Sequence, residues 1–155
     1  TTIELETPYT AREVSAMADF THNCADQGAT ISSGSFKTDG MIIIPCSMKT
    51  LAGIRAGYAE GLVGRAADVV LKENRKLVLV PRETPLSTIH LENLLALSRM
   101  GAAIVPPMPA YYNHPNTIQD VTDHIVTRVL DQFGLEYHRA KRWAGLSAVS
   151  DSVTD

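Results

Sequence analysis

Arg82 and Glu83 are the residues whose types and position point most directly to chemistry. Both follow an apolar run at 77–80 that Pro81 closes, as expected at the end of a buried strand. A guanidinium can hold a phosphate through two parallel hydrogen bonds, and a glutamate can accept or donate a proton. Arg82 could instead pair with Glu83 or a helix end, and a carboxylate beside an arginine is more often simply paired. The strand-end position favours a functional role for Arg82.

Ser47 is a second candidate, because it lies between an apolar run at 41–44, closed by Pro45, and a helical pattern over 47–57. The first N–H groups of a helix have no partner within the helix, and the helix dipole adds positive potential at that end. A strand that turns directly into a helix can therefore bind an anion. The alternative is that Ser47 is an ordinary N-cap, and this stretch alone favours the cap.

Three further polar residues could bind an anion. Tyr112 lies in a Pro-rich loop, where its hydroxyl could donate to a phosphate oxygen or pack beneath the loop. Arg128 lies among apolar residues of a long helical pattern. Lys72 lies near a helix end, where a solvated surface charge is the default interpretation. Each charged hydrogen bond to a phosphate would contribute about 1.5 to 3 kcal/mol.

The composition argues against several classes of function. The chain has 14 Lys and Arg against 17 Asp and Glu, a net charge of -3, which does not support nucleic acid as the main partner. Its apolar runs are far too short to cross a membrane. Cys24 and Cys46 lack metal-ligand spacing and fit a reducing cytoplasm, and Cys46 is expected to be a buried apolar residue. Asp120 and His124 lie one helical turn apart, but two ligands make a weak metal site, so we expect surface residues and no metal.

Apolar runs that alternate with helical patterns indicate the architecture. Strands alternating with helices form a parallel sheet through right-handed crossovers. The sequence therefore predicts an α/β fold, a Rossmann-like (flavodoxin-like) doubly wound sheet in three αβα layers. Ligands of such sheets bind at the carboxyl ends of the strands, where Ser47, Arg82, Glu83 and the loop 111–115 should converge. The predicted strands are 41–44, 77–80 and 102–105, and the predicted helices are 11–19, 47–57, 62–74, 88–100 and 117–133.

Two of the predicted helices have further features that a structure can test. The first has Thr10 as N-cap and Glu13 three residues later, which is the pattern of a capping box. The helix over 88–100 is expected to bury its apolar side chains, which are Ile89, Leu91, Leu94, Leu95 and Leu97.

Four linked sequence motifs carry a resemblance to a known family. They are GMIIIPCSMKTLAG at 40–53, RAADVVLKE at 65–73, LVLVPRETPL at 77–86 and YYNHP at 111–115. In this order and spacing they closely resemble the UbiX/Pad-type flavin prenyltransferases, formerly described as FMN-dependent phenolic acid decarboxylases. The resemblance extends through RVLDQFG at 128–134 and covers nearly the whole chain, so it is far more specific than any single motif.

The resemblance implies a flavoprotein that transfers a dimethylallyl group from dimethylallyl monophosphate onto reduced FMN, across flavin N5 and C6. The product, prenylated FMN, would pass to a UbiD-type decarboxylase, here one acting on phenolic acids. The family forms large homo-oligomers, often dodecamers, with sites near subunit contacts, and it uses no metal. A cytoplasmic homo-oligomer that binds FMN is therefore expected.

The resemblance also implies roles for individual residues. Ser47 and Arg82 are expected to contact FMN, while Glu83 and Glu6 are expected near the reacting centre as catalytic carboxylates. Trp143 matches the segment that closes over the site. The residues that match the prenyl-phosphate cluster are Lys72, Arg82, Tyr112 and Arg128.

The family pattern begins with a strand and a Gly-rich turn that cradles the FMN phosphate. No residues before Thr1 match them, so the sheet is expected to be N-terminally incomplete. A single domain over 1–146 is expected, followed by a disordered tail at 147–155. Two alternatives stay open: an FMN-dependent decarboxylase of cysteine-type substrates on the same fold, and a non-catalytic flavin-binding or assembly subunit.

Overall fold

Three parallel strands form the centre of the fold in residues 2–143 and 145, which the computed structural model describes. They are β1 (Gly40–Cys46), β2 (Lys76–Pro81) and β3 (Ala103–Ile104), with β2 in the middle. β1 pairs with β2, and β2 pairs with β3, both in parallel. The carboxyl ends of all three strands therefore lie at one edge of the sheet.

Six α-helices and two short 3-10 helices surround this sheet in the described part of the chain. They are α1 (Thr2–Glu6), α2 (Ala11–Ser15), α3 (Met48–Arg55), α4 (Gly61–Lys72), α5 (Thr88–Arg99) and α6 (Ile118–Asp131), with 3-10 helices at Thr30–Ser32 and Tyr111–Asn113. Buried residues of α3, α4 and α5 pack with Leu77 and Leu79 on one face. Val129 of α6 packs with Val78 and Val80 on the other. The predicted three-layer αβα arrangement is confirmed.

β2 is apolar at consecutive positions because helices cover both of its faces. Successive side chains of a strand point to opposite faces, so a strand between two helix layers cannot alternate apolar with polar residues. Leu77, Val78 and Leu79 are 0% exposed, and Val80 is 2% exposed. This central strand holds the sheet between its two helix layers.

β1 continues past the proline that the sequence predicts as its end. The strand runs to Cys46, and its register against β2 shifts between Ile43 and Cys46. Ile44 and Pro45 therefore bulge from the ladder, where a residue without an N–H group is tolerated. The two additional residues place the Cys46 side chain fully in the core, directly before Ser47.

α5 buries much less apolar surface than its sequence predicts. Leu97 is fully buried, and Leu94 packs partly against the core. The other three predicted core residues, Ile89, Leu91 and Leu95, are 67%, 53% and 51% exposed. α5 packs against α3 and β3, and side chains that point away from these two elements remain exposed. The prediction was wrong for those three residues because apolar periodicity does not determine how wide a covered face is.

Side-chain caps begin several helices where the sequence predicts them. Glu13 N donates to Thr10 Oγ1 over 3.2 Å, and Thr10 N donates to Glu13 Oε2 over 2.8 Å, which completes the predicted capping box. Ser47 caps α3 by accepting a hydrogen bond from Thr50 N. α2 ends at Ser15, earlier than the predicted end at residue 19.

The predicted disordered tail at 147–155 lies outside the described residues. The extent of the domain over 1–146 stays a prediction. Among the described helices, none is long and apolar enough to cross a membrane.

Replacing Leu97 by alanine should lower the free energy of unfolding by about 2 to 5 kcal/mol, because the substitution leaves a cavity at a fully buried site. Leu95→Ala on the same helix is the matched control, since the Leu95 side chain is 51% exposed. Urea titration followed by circular dichroism measures both variants. A loss for Leu95→Ala as large as that for Leu97→Ala would contradict the placement of these side chains.

The two cysteines should differ in reactivity. Cys46 is fully buried, and desolvation of its thiolate raises the pKa of the thiol to about 11, whereas Cys24 is exposed. With DTNB near neutral pH, we expect the folded protein to react at Cys24 alone and to react at Cys46 only after unfolding. The Cys24→Ser variant should lose the fast reaction. Rapid labelling of the folded Cys24→Ser protein would show that Cys46 is accessible.

Candidate functional site

Arg82 and Glu6 are joined by two parallel hydrogen bonds at the carboxyl end of β2. Arg82 Nη1 donates to Glu6 Oε2 and Nη2 donates to Glu6 Oε1, both over 2.7 Å. These bonds lower the pKa of Glu6, and the carboxylate raises the pKa of Arg82. Both side chains are half-exposed, so the pair orients the guanidinium more than it stabilises the fold. The sequence analysis left pairing with Glu83 or a helix end open as the alternative to a functional role for Arg82, and the partner in the structure is Glu6.

Arg82 and Glu83 line a cleft of about 470 Å³ at this edge of the sheet. Its other wall includes Pro106 and Met108, which follow β3. Glu83 is exposed, and its Oε1 accepts a hydrogen bond from Thr84 N over 3.1 Å. The end of β2 thus supplies a cation and a carboxylate to one open cleft.

A second cleft, of about 450 Å³, lies between β3 and α6. His124 and Arg128 line it from α6, and Pro106 and Met108 line both clefts. Arg82 and Arg128 therefore occupy adjoining clefts. His124 is half-buried, which corrects its predicted position at the surface; residues four apart share one helix face, so it points to the same side as Arg128.

Tyr112 packs against two aromatic rings next to the second cleft. The Trp143 ring lies 5.7 Å from the Tyr112 ring, centroid to centroid, and the His124 ring lies 6.2 Å away, both in edge-to-face geometry. Asn113 Nδ2 lies 3.1 Å from His124 Nδ1 and fixes the imidazole. The structure thus brings together Tyr112 and Trp143, for which the resemblance implied roles at one site.

Asp131, the last residue of α6, binds two arginines. Its Oδ2 accepts hydrogen bonds from Arg128 Nη1 over 2.7 Å and from Arg142 Nη1 over 3.1 Å, and its Oδ1 accepts one from Arg142 Nη2 over 2.7 Å. Sequence reasoning missed both Asp131 and Arg142. The three-residue spacing of Arg128 and Asp131 on a helix was an available signal. No spacing in the sequence indicated Arg142, because a non-helical connection separates it from Asp131.

Ser47 caps α3 at the carboxyl end of β1. Its Oγ accepts a hydrogen bond from Thr50 N over 3.1 Å and lies 3.0 Å from Thr50 Oγ1. Helix geometry leaves the amides of Met48 and Lys49 without a partner inside α3, so both N–H groups point out of the helix start. Ser47 can therefore cap α3 while the free amides beside it bind an anion. Its side chain does not line either cleft beside Arg82.

Lys72 lies apart from the other cations. It is the last residue of α4, which leads into the start of β2, whereas Arg82 follows the end of that strand. At about 3.3 Å per residue, the 6 residues of β2 separate its two ends by about 20 Å. The Lys72 ammonium group pairs with the Glu73 carboxylate. Within one copy of the chain, the predicted phosphate cluster does not include Lys72.

Asp120 has a structural role at the start of α6. Its Oδ2 accepts hydrogen bonds from the amides of Asn116 and Thr117 over 2.8 and 2.9 Å, and these bonds lower its pKa. Among the described residues, no group of three or more His, Cys, Asp and Glu side chains could hold a metal ion.

Comparison with known proteins identifies the family. The model of the Flavoprotein family matches residues 6–130. A probable UbiX-like flavin prenyltransferase from Escherichia coli O157:H7 is 80% identical over 146 residues, which make up 94% of this chain and 74% of that protein.

Two solved structures share the fold. A dodecameric FMN-dependent UbiX-like decarboxylase from Escherichia coli O157:H7 superposes with a TM-score of 0.92 at 80% identity, over 93% of this chain and 78% of that chain. AnUbiX (PadA1) in complex with FMN and dimethylallyl pyrophosphate superposes with a TM-score of 0.91 at 53% identity, over 93% of this chain and 77% of that chain. The predicted fold and the family that the motifs resemble are thus confirmed, and the chain belongs to the UbiX-like flavin prenyltransferases of the Flavoprotein family.

Proposed function

We propose that the chain transfers a dimethylallyl group from dimethylallyl monophosphate to reduced FMN and so makes prenylated FMN. One observation carries the proposal. Arg128 lines a cleft beside the Tyr112 and Trp143 rings, and this cleft adjoins the one that Arg82 and Glu83 line. Two ligands can therefore meet where the clefts join. The presence of FMN and dimethylallyl pyrophosphate together in the AnUbiX structure supports this pair of ligands.

Arg128 and Tyr112 bind the phosphate of the prenyl donor. One N–H of Arg128 is engaged by Asp131, and among the described residues the remaining donors of its guanidinium have no other partner. As the carbon–oxygen bond breaks, the phosphate leaves with the electron pair, and a fixed cation stabilises the charge that develops on it. Tyr112 donates from its hydroxyl, and Trp143 covers the site and excludes water.

The strand ends fit FMN in their donor chemistry. The amides of Met48 and Lys49 at the start of α3 and the guanidinium of Arg82 are donors suited to an anionic cofactor. Ser47 holds this helix start in place by capping it. When bound, reduced FMN supplies the electron-rich ring that accepts the dimethylallyl group.

The two carboxylates at the end of β2 have different tasks. Glu83 Oε1 accepts a hydrogen bond from Thr84 N, which leaves Oε2 able to take up the proton that prenylation of a bound flavin would release. Glu6 binds Arg82 through both of its oxygens and so orients the guanidinium beside the cleft.

Lys72 acts from a second copy of the chain. It lies at the opposite end of β2 from Arg82, so it can approach the clefts only if another copy presents it. A homo-oligomer with sites at the subunit contacts, of up to twelve copies, meets this requirement, and the dodecameric structure of the Escherichia coli relative supports it.

The product serves an enzyme that uses prenylated FMN. A UbiD-type decarboxylase of aromatic acids, in the cytoplasm, is the proposed recipient. This assignment follows from the family resemblance of the motifs at 40–53 and 77–86.

Anaerobic incubation of the protein with reduced FMN and dimethylallyl monophosphate tests the proposal. Mass spectrometry should detect FMN that has gained one dimethylallyl group, and the monophosphate should be preferred over the diphosphate. If neither donor yields prenylated FMN, the proposed activity is wrong. A yellow, FMN-bound protein without that product would favour the non-catalytic flavin-binding subunit instead.

Arg128→Gln should raise the KM for dimethylallyl monophosphate by roughly 10- to 100-fold, because a charged hydrogen bond contributes about 1.5 to 3 kcal/mol. Arg99→Gln is the control, since Arg99 is an exposed cation in the last turn of α5. Steady-state kinetics with varied donor measures both, and FMN affinity should stay unchanged in both. Equal KM values for the two variants would exclude Arg128 from phosphate binding.

A further inference from the structure

The Asp131 carboxylate lies between two cations that belong to different segments. Arg128 comes from α6 and Arg142 from the segment that follows it, and both donate to Asp131 Oδ2. Arg142 also donates to Oδ1, so its contact is bidentate. The Asp131 side chain is only 18% exposed, whereas both arginines are more than half exposed. The carboxylate is the shielded member of this group.

This carboxylate is the element that lets the two arginines lie together. Two guanidinium groups that share one oxygen partner repel each other, and the negative charge of the carboxylate between them offsets this repulsion. The hydrogen bonds from Arg142, then its charge, and then the charge of Arg128 lower the pKa of Asp131. Asp131 therefore remains ionised at neutral pH and can hold both.

The Arg142 contact also fixes the residue that follows it. Trp143 is directly bonded to Arg142 in the chain, and its ring packs on Tyr112. The anchor at Asp131 and the aromatic contact at Tyr112 thus hold the same short segment at two points. Removing the anchor takes away one of these two points and leaves the contact with the Tyr112 ring.

We propose that Asp131 is a positioning residue that sets the Arg128 guanidinium beside the second cleft and, through Arg142, docks Trp143 onto Tyr112. The importance of this for catalysis rests on the proposed function of Arg128 and Trp143. The docking itself does not, because it is a property of the chain without ligands. Binding of the donor phosphate and closure of the aromatic cover therefore depend on one carboxylate.

Trp143 is the single tryptophan of the chain, so its fluorescence reports docking directly. Without ligands, Asp131→Asn and Arg142→Gln should shift the emission to longer wavelength and increase quenching by acrylamide. Arg142→Lys keeps the charge but loses the bidentate contact, and it should lie between wild type and Arg142→Gln. Arg139→Gln is the matched control, because Arg139 lies in the same segment and makes no ion pair among the described residues. Thermal melts establish that each variant folds.

Kinetics then separate positioning from a merely structural role. Asp131→Asn should raise the KM for dimethylallyl monophosphate by about tenfold with a smaller change in kcat, because Arg128 loses its orienting partner. Arg142→Gln should raise it less. Since both substitutions break the same anchor, the double variant should show no more quenching than Asp131→Asn alone.

The outcomes that would overturn the proposal are distinct from those that test the reaction. Wild-type fluorescence in a folded Arg142→Gln protein, or effects of the two substitutions on quenching that simply add, would show that Asp131 does not dock Trp143. An unchanged KM in Asp131→Asn would show that it does not position Arg128. If Asp131→Asn fails to fold, the two Arg142 variants decide the docking. Absence of prenylated FMN with the wild-type protein would refute the function and leave the fluorescence test intact.

Discussion

The burial of β2 on both faces is the constraint on which the rest of the structure depends. Leu77 and Leu79 pack toward α3, α4 and α5, while Val78 and Val80 pack toward α6. Because the strands are parallel, the packing that fixes β2 also fixes where Arg82 leaves the sheet and how close the loop after β3 lies. The candidate site is thus placed by apolar contacts in which its own polar residues take no part.

The two arginines of the candidate site, Arg82 and Arg128, are each accompanied by a carboxylate from another position in the chain. Arg82 has Glu6 from α1, and Arg128 has Asp131 one turn along α6. At half-exposed sites such pairs contribute little to stability. Their effect is to hold long, flexible side chains in one arrangement before a ligand binds, which reduces the entropy lost on binding.

The sequence alone was sufficient to predict the structural features that depend on local pattern. The all-apolar run of β2, the Ser47 cap and the Thr10 and Glu13 capping box follow from periodicity and short spacing, and the structure has them all. It was insufficient to predict burial and side-chain pairing, which depend on which surfaces of the folded chain meet. The exposed side of α5 is an example. So is the pairing of Arg82 with Glu6, 76 residues apart, because side-chain contacts between distant segments leave no spacing signal.

α6 sets the spacing of the polar residues at the second cleft. His124, Arg128 and Asp131 lie on successive turns, so their separations are multiples of a rise of about 1.5 Å per residue rather than properties of a loop. An insertion or deletion of one residue among them would rotate the following side chain by about 100° and turn it away from the cleft. The outward-facing residues of this helix can therefore change in identity, but the number of residues between these positions cannot change. The connection between α6 and Arg142 can vary in length as long as its end returns to Asp131.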